Sequence, residues 1–260
     1  MAADAKALKP KYKVELVVSG RSHLYDVTQG DKTVRYPGVT DSLGVINKPA
    51  LVNWAKREAL AMVEKAMSGR LGGKDSAGIV LDKAWIEGVI QDARKRPDQL
   101  KDQAADFGSR AHAFIDSIIK GSEPSEVPEE IAGPVRAFRD WWKSSGIEMV
   151  RGEIPVASVE HGYGGTLDAL GRRRGRYVVL DWKTSNGIYT EYALQTSAYV
   201  HALRETYGLE CSEAIVVRFG KKLPVEFEFK ELADVELSFH AFLAAKALKE
   251  ALAQSHFQTW

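Results

Sequence analysis

Apolar and polar positions along the chain change period twice, and the changes mark out its parts. Tyr12 to Ser19 is rich in Val and Leu, a turn falls near Gly20, and Ser22 to Thr28 resumes the same character until Gly30-Asp31 breaks it. The first 36 residues therefore predict an N-terminal β-meander at the edge of a domain. The stretch from Tyr36 to Pro49 is loop-like through its Pro and Gly content. Beyond it, Pro49 to Met67 spaces Ala, Leu and Val among charges at helical intervals, with Pro49 suited to a first turn. Gly69, Gly72, Gly73 and Gly78 predict a flexible connection. A second helix is expected over Asp82 to Arg96, ended by Pro97. A third, over Lys101 to Lys120, aligns Phe107, Ala111, Phe114, Ile115 and Ile118 on one face and stops at Gly121. A fourth, Pro128 to Ser144, carries Trp141-Trp142.

The second half reads differently. Ile147 to Ser158, Gly165 to Gly171 and Arg176 to Lys183 predict strands, the last two a hairpin turning at Arg172 to Gly175. Thr190 to Tyr207 predicts a helix. Glu213 to Phe219 and Pro224 to Phe229 predict another hairpin around Gly220-Lys221-Lys222, and Leu232 to Leu252 a closing helix. The order β-β-β-α-β-β-α implies an α/β fold: a mixed β-sheet flanked by helices, with the β-meander before it and a helical insertion within it. One domain is expected over 1–260, made of N-terminal strands and loop (1–48), a helical block (49–145) and a sheet with its helices (146–260).

Composition narrows the function classes. At 260 residues, 45% hydrophobic and 27% charged, the chain can bury a real core, and rods, collagen-like repeats and disorder are excluded. No run reaches the roughly 18 to 20 apolar residues of a membrane span, and MAADAKALKPKYK lacks the apolar block of a secretory signal, so a cytoplasmic location and no membrane partner are expected. The single cysteine, Cys211, cannot build an intrachain disulfide or a thiolate metal site, so any metal must be bound mainly by oxygen. A net charge of +1 rules out a uniformly basic coat; attraction for phosphate must be local, at Arg94 to Arg96, Arg172 to Arg176 or Lys221-Lys222, each otherwise an ordinary solvated cluster.

The densest chemistry lies in GGTLDALGRRRGRYVVLDWKTSN. On a strand Asp181 and Lys183 share a face while Trp182 points the other way. Val178, Val179 and Leu180 make that strand a buried one, and a buried strand that ends in two charges needs a reason, because unpaired burial of either is costly. Asp168, in the partner strand, would bring a second carboxylate. Two carboxylates beside a lysine suit a hard dication such as Mg2+ or Mn2+, which offsets their repulsion; a plain surface ion pair is the competing reading.

Gly108-Ser109-Arg110-Ala111-His112, then Gly165-Thr166-Leu167-Asp168, then Asp181-Trp182-Lys183, then Gln195-x-x-x-Tyr199 resemble, in order, the motifs of the PD-(D/E)XK nucleases of the RecB-like branch. Within that branch the chain looks most like the phage-type and mitochondrial genome maintenance exonucleases, and the TyrProGlyValThr segment leading to LysProAlaLeu and Trp54 adds to the likeness. The resemblance runs from about residue 20 to 220. It implies a restriction-endonuclease-like sheet and a metal-dependent DNA exonuclease acting on single strands or ends in replication, recombination or repair. A phage-encoded enzyme in a host cytoplasm, working beside a recombination or replication protein, fits the same likeness. A structure-specific endonuclease and a non-catalytic DNA-binding or recombination-accessory module are the alternatives.

By that resemblance His112, Asp168, Asp181 and the backbone carbonyl of Trp182 would hold Mg2+ or Mn2+, the imidazole making Mn2+ at least as acceptable. Lys183 would act beside Asp168 and Asp181 in catalysis, first by orientation and charge stabilisation. Gln195 and Tyr199, one helical turn apart, would place DNA or support the site; Ser109 and Glu153 join them as candidates of the same kind. Asp181 stands where many relatives carry Glu, one methylene shorter with the charge kept. Trp54, Arg94 to Arg96 and Trp141-Trp142 could wall a channel for a strand, although packing is the commoner use of a tryptophan.

Overall fold

A computed structural model describes residues 8–20, 22–71, 82–122, 124–220 and 227–254. Its first strands, β1 (Lys13–Ser19), β2 (Ser22–Gln29) and β3 (Lys32–Pro37), form the antiparallel meander in the order β1-β2-β3. Gly20 and Gly30 turn the chain between them at φ +60° and +56°, a conformation glycine adopts without steric cost. The short helix α1 (Val39–Ser42) and a 3-10 turn (Leu43–Val45) follow. Then come α2 (Pro49–Leu71), α3 (Lys83–Ile119) and α4 (Ala132–Ser145).

The expected break at Pro97 does not occur: α3 runs through it as one helix. Proline removes one backbone hydrogen bond from a helix interior, but Gln91 to Lys101 holds no Gly, Asn or Ser that would favour a turn, and Ala93, Arg94, Lys95, Gln99, Leu100 and Lys101 are good helix formers. The chain divides into two compact units, 47–109 and the remainder. Within the first, Arg70 lies over the Trp85 ring at 5.0 Å.

In the second unit the main sheet is ordered β4-β5-β6-β7-β8: β4 (Glu148–Ser158), β5 (Tyr163–Arg173), β6 (Arg176–Lys183), β7 (Cys211–Phe219) and β8 (Phe227–Glu231). All neighbours are antiparallel except β6 and β7, which are joined by the crossover helix α5 (Thr190–Tyr207). Helix α6 (Val235–Ala253) closes the fold, with Asp234 capping its first turn by accepting from the amide of Leu237. Lys221, Lys222 and Pro224 lie outside the described residues.

Two apolar layers sandwich the sheet. On one face Ile154, Val156, Leu167, Leu170 and Val179 pack against Tyr199, Val200 and Leu203 of α5 and Phe239 and Phe242 of α6. On the other, Ala169, Val178, Leu180, Trp182, Val217 and Phe219 meet Ile115 of α3 and Phe138 and Trp141 of α4. Phe138 sits 5.5 Å from the Trp182 ring and 5.9 Å from Phe219, both edge-on. Trp141 is therefore a core residue, and its neighbour Trp142 donates its indole N–H to the carbonyl of Ile147. Within the Arg172 to Arg176 cluster, Arg173 pairs with Glu213 and Glu231, and Arg176 with Glu213.

Candidate active site

The β5–β6 hairpin turns at Arg174-Gly175, both with positive φ, as a two-residue connection between twisted strands requires. Its ladder runs from Arg173↔Arg176 to Ala169↔Leu180 and ends there, while β6 stays paired to β7 as far as Lys183. Where the strands part, Asp168 on β5 and Asp181 on β6 come level with each other. Asp168 takes over the missing ladder contact: its Oδ2 accepts from the Trp182 amide at 2.7 Å. The carbonyl of a strand residue points to the same edge as its amide, so the Trp182 carbonyl faces this opening as well.

Helix α3 brings His112 to the same point, with Nδ1 3.2 Å from Asp168 Oδ1. Lys183 Nζ lies 2.5 Å from Asp181 Oδ2. Asp181 is 1% exposed, and its Oδ2 makes no hydrogen bond of acceptable geometry, so the contact with the ammonium is one of charge rather than direction. The four side chains form one electrostatic unit. Burial, with Asp168 beside it, pushes Asp181 up to about 6 against the pull of Lys183. Burial also works on Asp168, but His112 and Lys183 outweigh it and hold that carboxyl below its ordinary value. For Lys183 burial opposes the charge and the two carboxylates restore it, leaving the pKa raised and the group an ammonium at neutral pH. The His112 imidazole is raised in the same way, chiefly by Asp168 against burial.

Would these groups suit a hard dication? Among the described residues, no three His, Cys, Asp or Glu side chains already converge on one point; here they are paired off, His112 with Asp168 and Lys183 with Asp181. Two properties of the site nonetheless fit such an ion. The donor set is oxygen with one imidazole, and a buried carboxylate oxygen of Asp181 lacks a directed partner and sits at a pKa raised by burial, which a bound cation would lower. The residues fit.

The other candidates are placed differently. Gln195 and Tyr199 are 8% and 4% exposed, and the Gln195 amide donates to the Tyr199 hydroxyl at 2.9 Å. Burial and nearby Asp181 keep that phenol well above its usual pKa. Tyr199 leans on β5: a Cβ at Gly165 would fall 2.5 Å from its ring. Tyr199, held by Gln195, thus braces the strand that carries Asp168. The Ser109 hydroxyl donates to the carbonyl of Ala105 within its own helix. Glu153 projects outward from β4 with φ +43°, in register between Gly152↔Ala169 and Ile154↔Leu167, and its carboxylate is 3.6 Å from Lys120.

Two neighbours were not anticipated. Asp116, one turn after His112, lies buried against Gly152, where a Cβ could not fit, and pairs with Lys120 at 2.5 Å. Helical spacing from His112 was the available signal. Tyr192 covers Lys183, with Nζ 4.9 Å from the ring centre; its position one turn before Gln195 was the corresponding hint.

Residues 85–260, about two thirds of the chain, match the sequence profile of the PD-(D/E)XK nuclease superfamily. The chain belongs to this superfamily. No curated protein matches the sequence. Among solved structures, similarity extends to a candidate exonuclease from Eubacterium rectale, with 12% identity over 59% of this chain and 76% of that one and a TM-score of 0.37. It extends also to an alkaline exonuclease from Laribacter hongkongensis, with 14% identity over 56% and 84% and a TM-score of 0.27. The family assignment rests on the profile. No helix among the described residues is long and apolar enough to cross a membrane.

Proposed function

We propose that this PD-(D/E)XK protein is a divalent-cation-dependent deoxyribonuclease of the RecB-like branch that degrades single-stranded DNA or DNA from its ends. The observation that carries the reading is the meeting of His112, Asp168, Asp181 and Lys183 where β5 and β6 part. In this reading His112, the two aspartates and the Trp182 carbonyl would hold Mg2+ or Mn2+. The ion supplies Lewis acidity that polarises a phosphate and acidifies water. Asp168, kept ionised by its neighbours, fixes the edge of β6 through the Trp182 amide. Lys183, an ammonium held between Asp181 and the Tyr192 ring, places positive charge where negative charge grows on the phosphate oxygens. Orientation and stabilisation of that charge are its first roles.

The test uses Mn2+ and two single-stranded substrates of one sequence, a labelled linear strand and its covalently closed circle. Mononucleotides or short ends released from the linear strand, with the circle intact, are expected. Equal cutting of the circle would make the protein an endonuclease, and no cutting of either would leave only a binding module.

A further inference from the structure

Lys183 is overlooked by more than its acidic partners. The ring of Tyr192 lies over Nζ, and Tyr189 stands edge-on to Tyr192 with centroids 5.6 Å apart and planes at 67°. Tyr189 is 44% exposed and belongs to neither sheet-facing core. The segment between β6 and α5 fixes its place: the Ser185 hydroxyl donates to the Gly187 carbonyl, and the Tyr189 ring rests beside Gly187. Tyr189 also occupies the N-cap of α5, where it makes no side-chain cap. Ser, Thr, Asp or Asn there would stabilise the helix start by accepting an amide hydrogen bond, which a tyrosine ring does not provide. The fold thus gives a capping position to a large aromatic side chain and leaves it in water, one ring away from the ammonium of the site.

Resting on the nuclease reading, we propose that Tyr189, braced by Tyr192, is a stacking platform for the nucleobase next to the scissile phosphate. The chemistry of the subsite follows. A base stacks on an aromatic face whatever its sequence, so the platform is sequence-tolerant. A base inside a duplex already has both faces covered, so only an unpaired or terminal base is free to use it. The same step ties base position to phosphate position, because Tyr192 touches both Tyr189 and Lys183. Single-strand preference then comes from the site itself.

The experiment pairs a protein change with a substrate change. Wild type, Tyr189→Ala and Tyr189→Phe are assayed with Mn2+ on a labelled single strand and on a series in which one nucleotide at a time near the cut is abasic. On the intact strand, Tyr189→Ala is expected to raise KM about 5- to 150-fold, the range for loss of one stacked base, and Tyr189→Phe to stay within about twofold of wild type, since the ring is retained. At one abasic position the difference between wild type and Tyr189→Ala should vanish, because no base is left to stack. Circular dichroism and melting temperature matching wild type establish beforehand that Tyr189→Ala is folded. If Tyr189→Ala matches wild type on the intact strand, or is equally impaired at every abasic position, the platform is refuted while the nuclease stands. If wild type cuts none of the strands, the nuclease reading itself fails and the platform with it.

Discussion

Replacing Gly165 by Ala tests whether Tyr199 is the brace that holds β5. The added Cβ would lie 2.5 Å from Cε1 and 3.1 Å from Cδ1 of Tyr199, and 3.3 Å from Cγ2 of Val39. Carbon atoms settle at about 3.5 to 4.0 Å, so roughly 1 Å must be found. The ring has nowhere to go: it is buried in the core beside Val39 and Ala198, and its hydroxyl is tied to Gln195. Overpacking of this kind costs about 1–3 kcal/mol, and the absence of slack puts the expectation in the upper half of that range. In a Tyr199→Leu background the obstructing ring is gone, and the same Gly165→Ala change should cost less than about 1 kcal/mol, a coupling of 1 kcal/mol or more between two residues in contact. Urea unfolding followed by tryptophan fluorescence measures both costs. A Gly165→Ala protein within about 0.5 kcal/mol of wild type, or one equally destabilised with and without Tyr199, would refute the brace.

Other expectations concern charge and packing. Burial, with Glu205 close by, pushes the Tyr12 phenol up to about 12, and its hydroxyl donates to the Ala157 carbonyl. The folded state therefore keeps this proton while the unfolded chain releases it above pH 10, so stability should fall between pH 10 and 12, by up to about 3 kcal/mol from this group. Tyr12→Phe should make that alkaline limb shallower by this group's share, buried phenols such as Tyr199 keeping the rest, at a cost of about 1 kcal/mol at neutral pH; an unchanged limb in urea titrations would contradict it. Mn2+ should raise the melting temperature of the wild type more than that of Asp168→Ala, with about 2.7 kcal/mol available at a hundredfold excess over Kd, and equal shifts would count against Asp168 as a ligand. Phe138→Ala, at the centre of the Trp141, Trp182 and Phe219 cluster, should cost about 3–5 kcal/mol by calorimetry or denaturant.

Much of the sheet was legible because its strands announce themselves by local pattern. Val178, Val179 and Leu180 followed by two charges mark β6 as buried with a polar end, and the Arg174-Gly175 turn makes β5 its partner, which places Asp168 near Asp181 without any tertiary information. Pro97 signals a break that α3 does not make, because the helix formers on both sides of it carry the helix through. The third strand of the meander, Lys32–Pro37, alternates too weakly in hydrophobicity to stand out, and it depends on pairing with β2, including the Arg35 fork on Asp26. The sequence pattern starts a strand at Gly165 and gives no reason for Gly164 and Gly165 to be glycines. In the fold they sit within a strand, small because Tyr25 and Tyr199 press on them, a requirement that arises only once elements far apart in sequence meet. The same holds for Asp116 against Gly152 and for Tyr192 over Lys183. Gln195 and Tyr199 were found by spacing, but their burial, and hence their bracing role, needed the structure.

The half-buried ammonium of Lys183, set among Asp168, Asp181 and His112, is proposed to serve phosphodiester cleavage. Its most direct test is single-turnover cleavage of an end-labelled DNA strand in Mn2+ by wild type and Lys183→Met, both checked for the same circular dichroism spectrum. Cleavage by the wild type that stops on chelation, with the Lys183→Met rate lower by about 100-fold or more, as for loss of one preorganised charge-stabilising group, is the expected result. Equal rates in the two proteins, or cleavage that persists in chelator, would contradict the account.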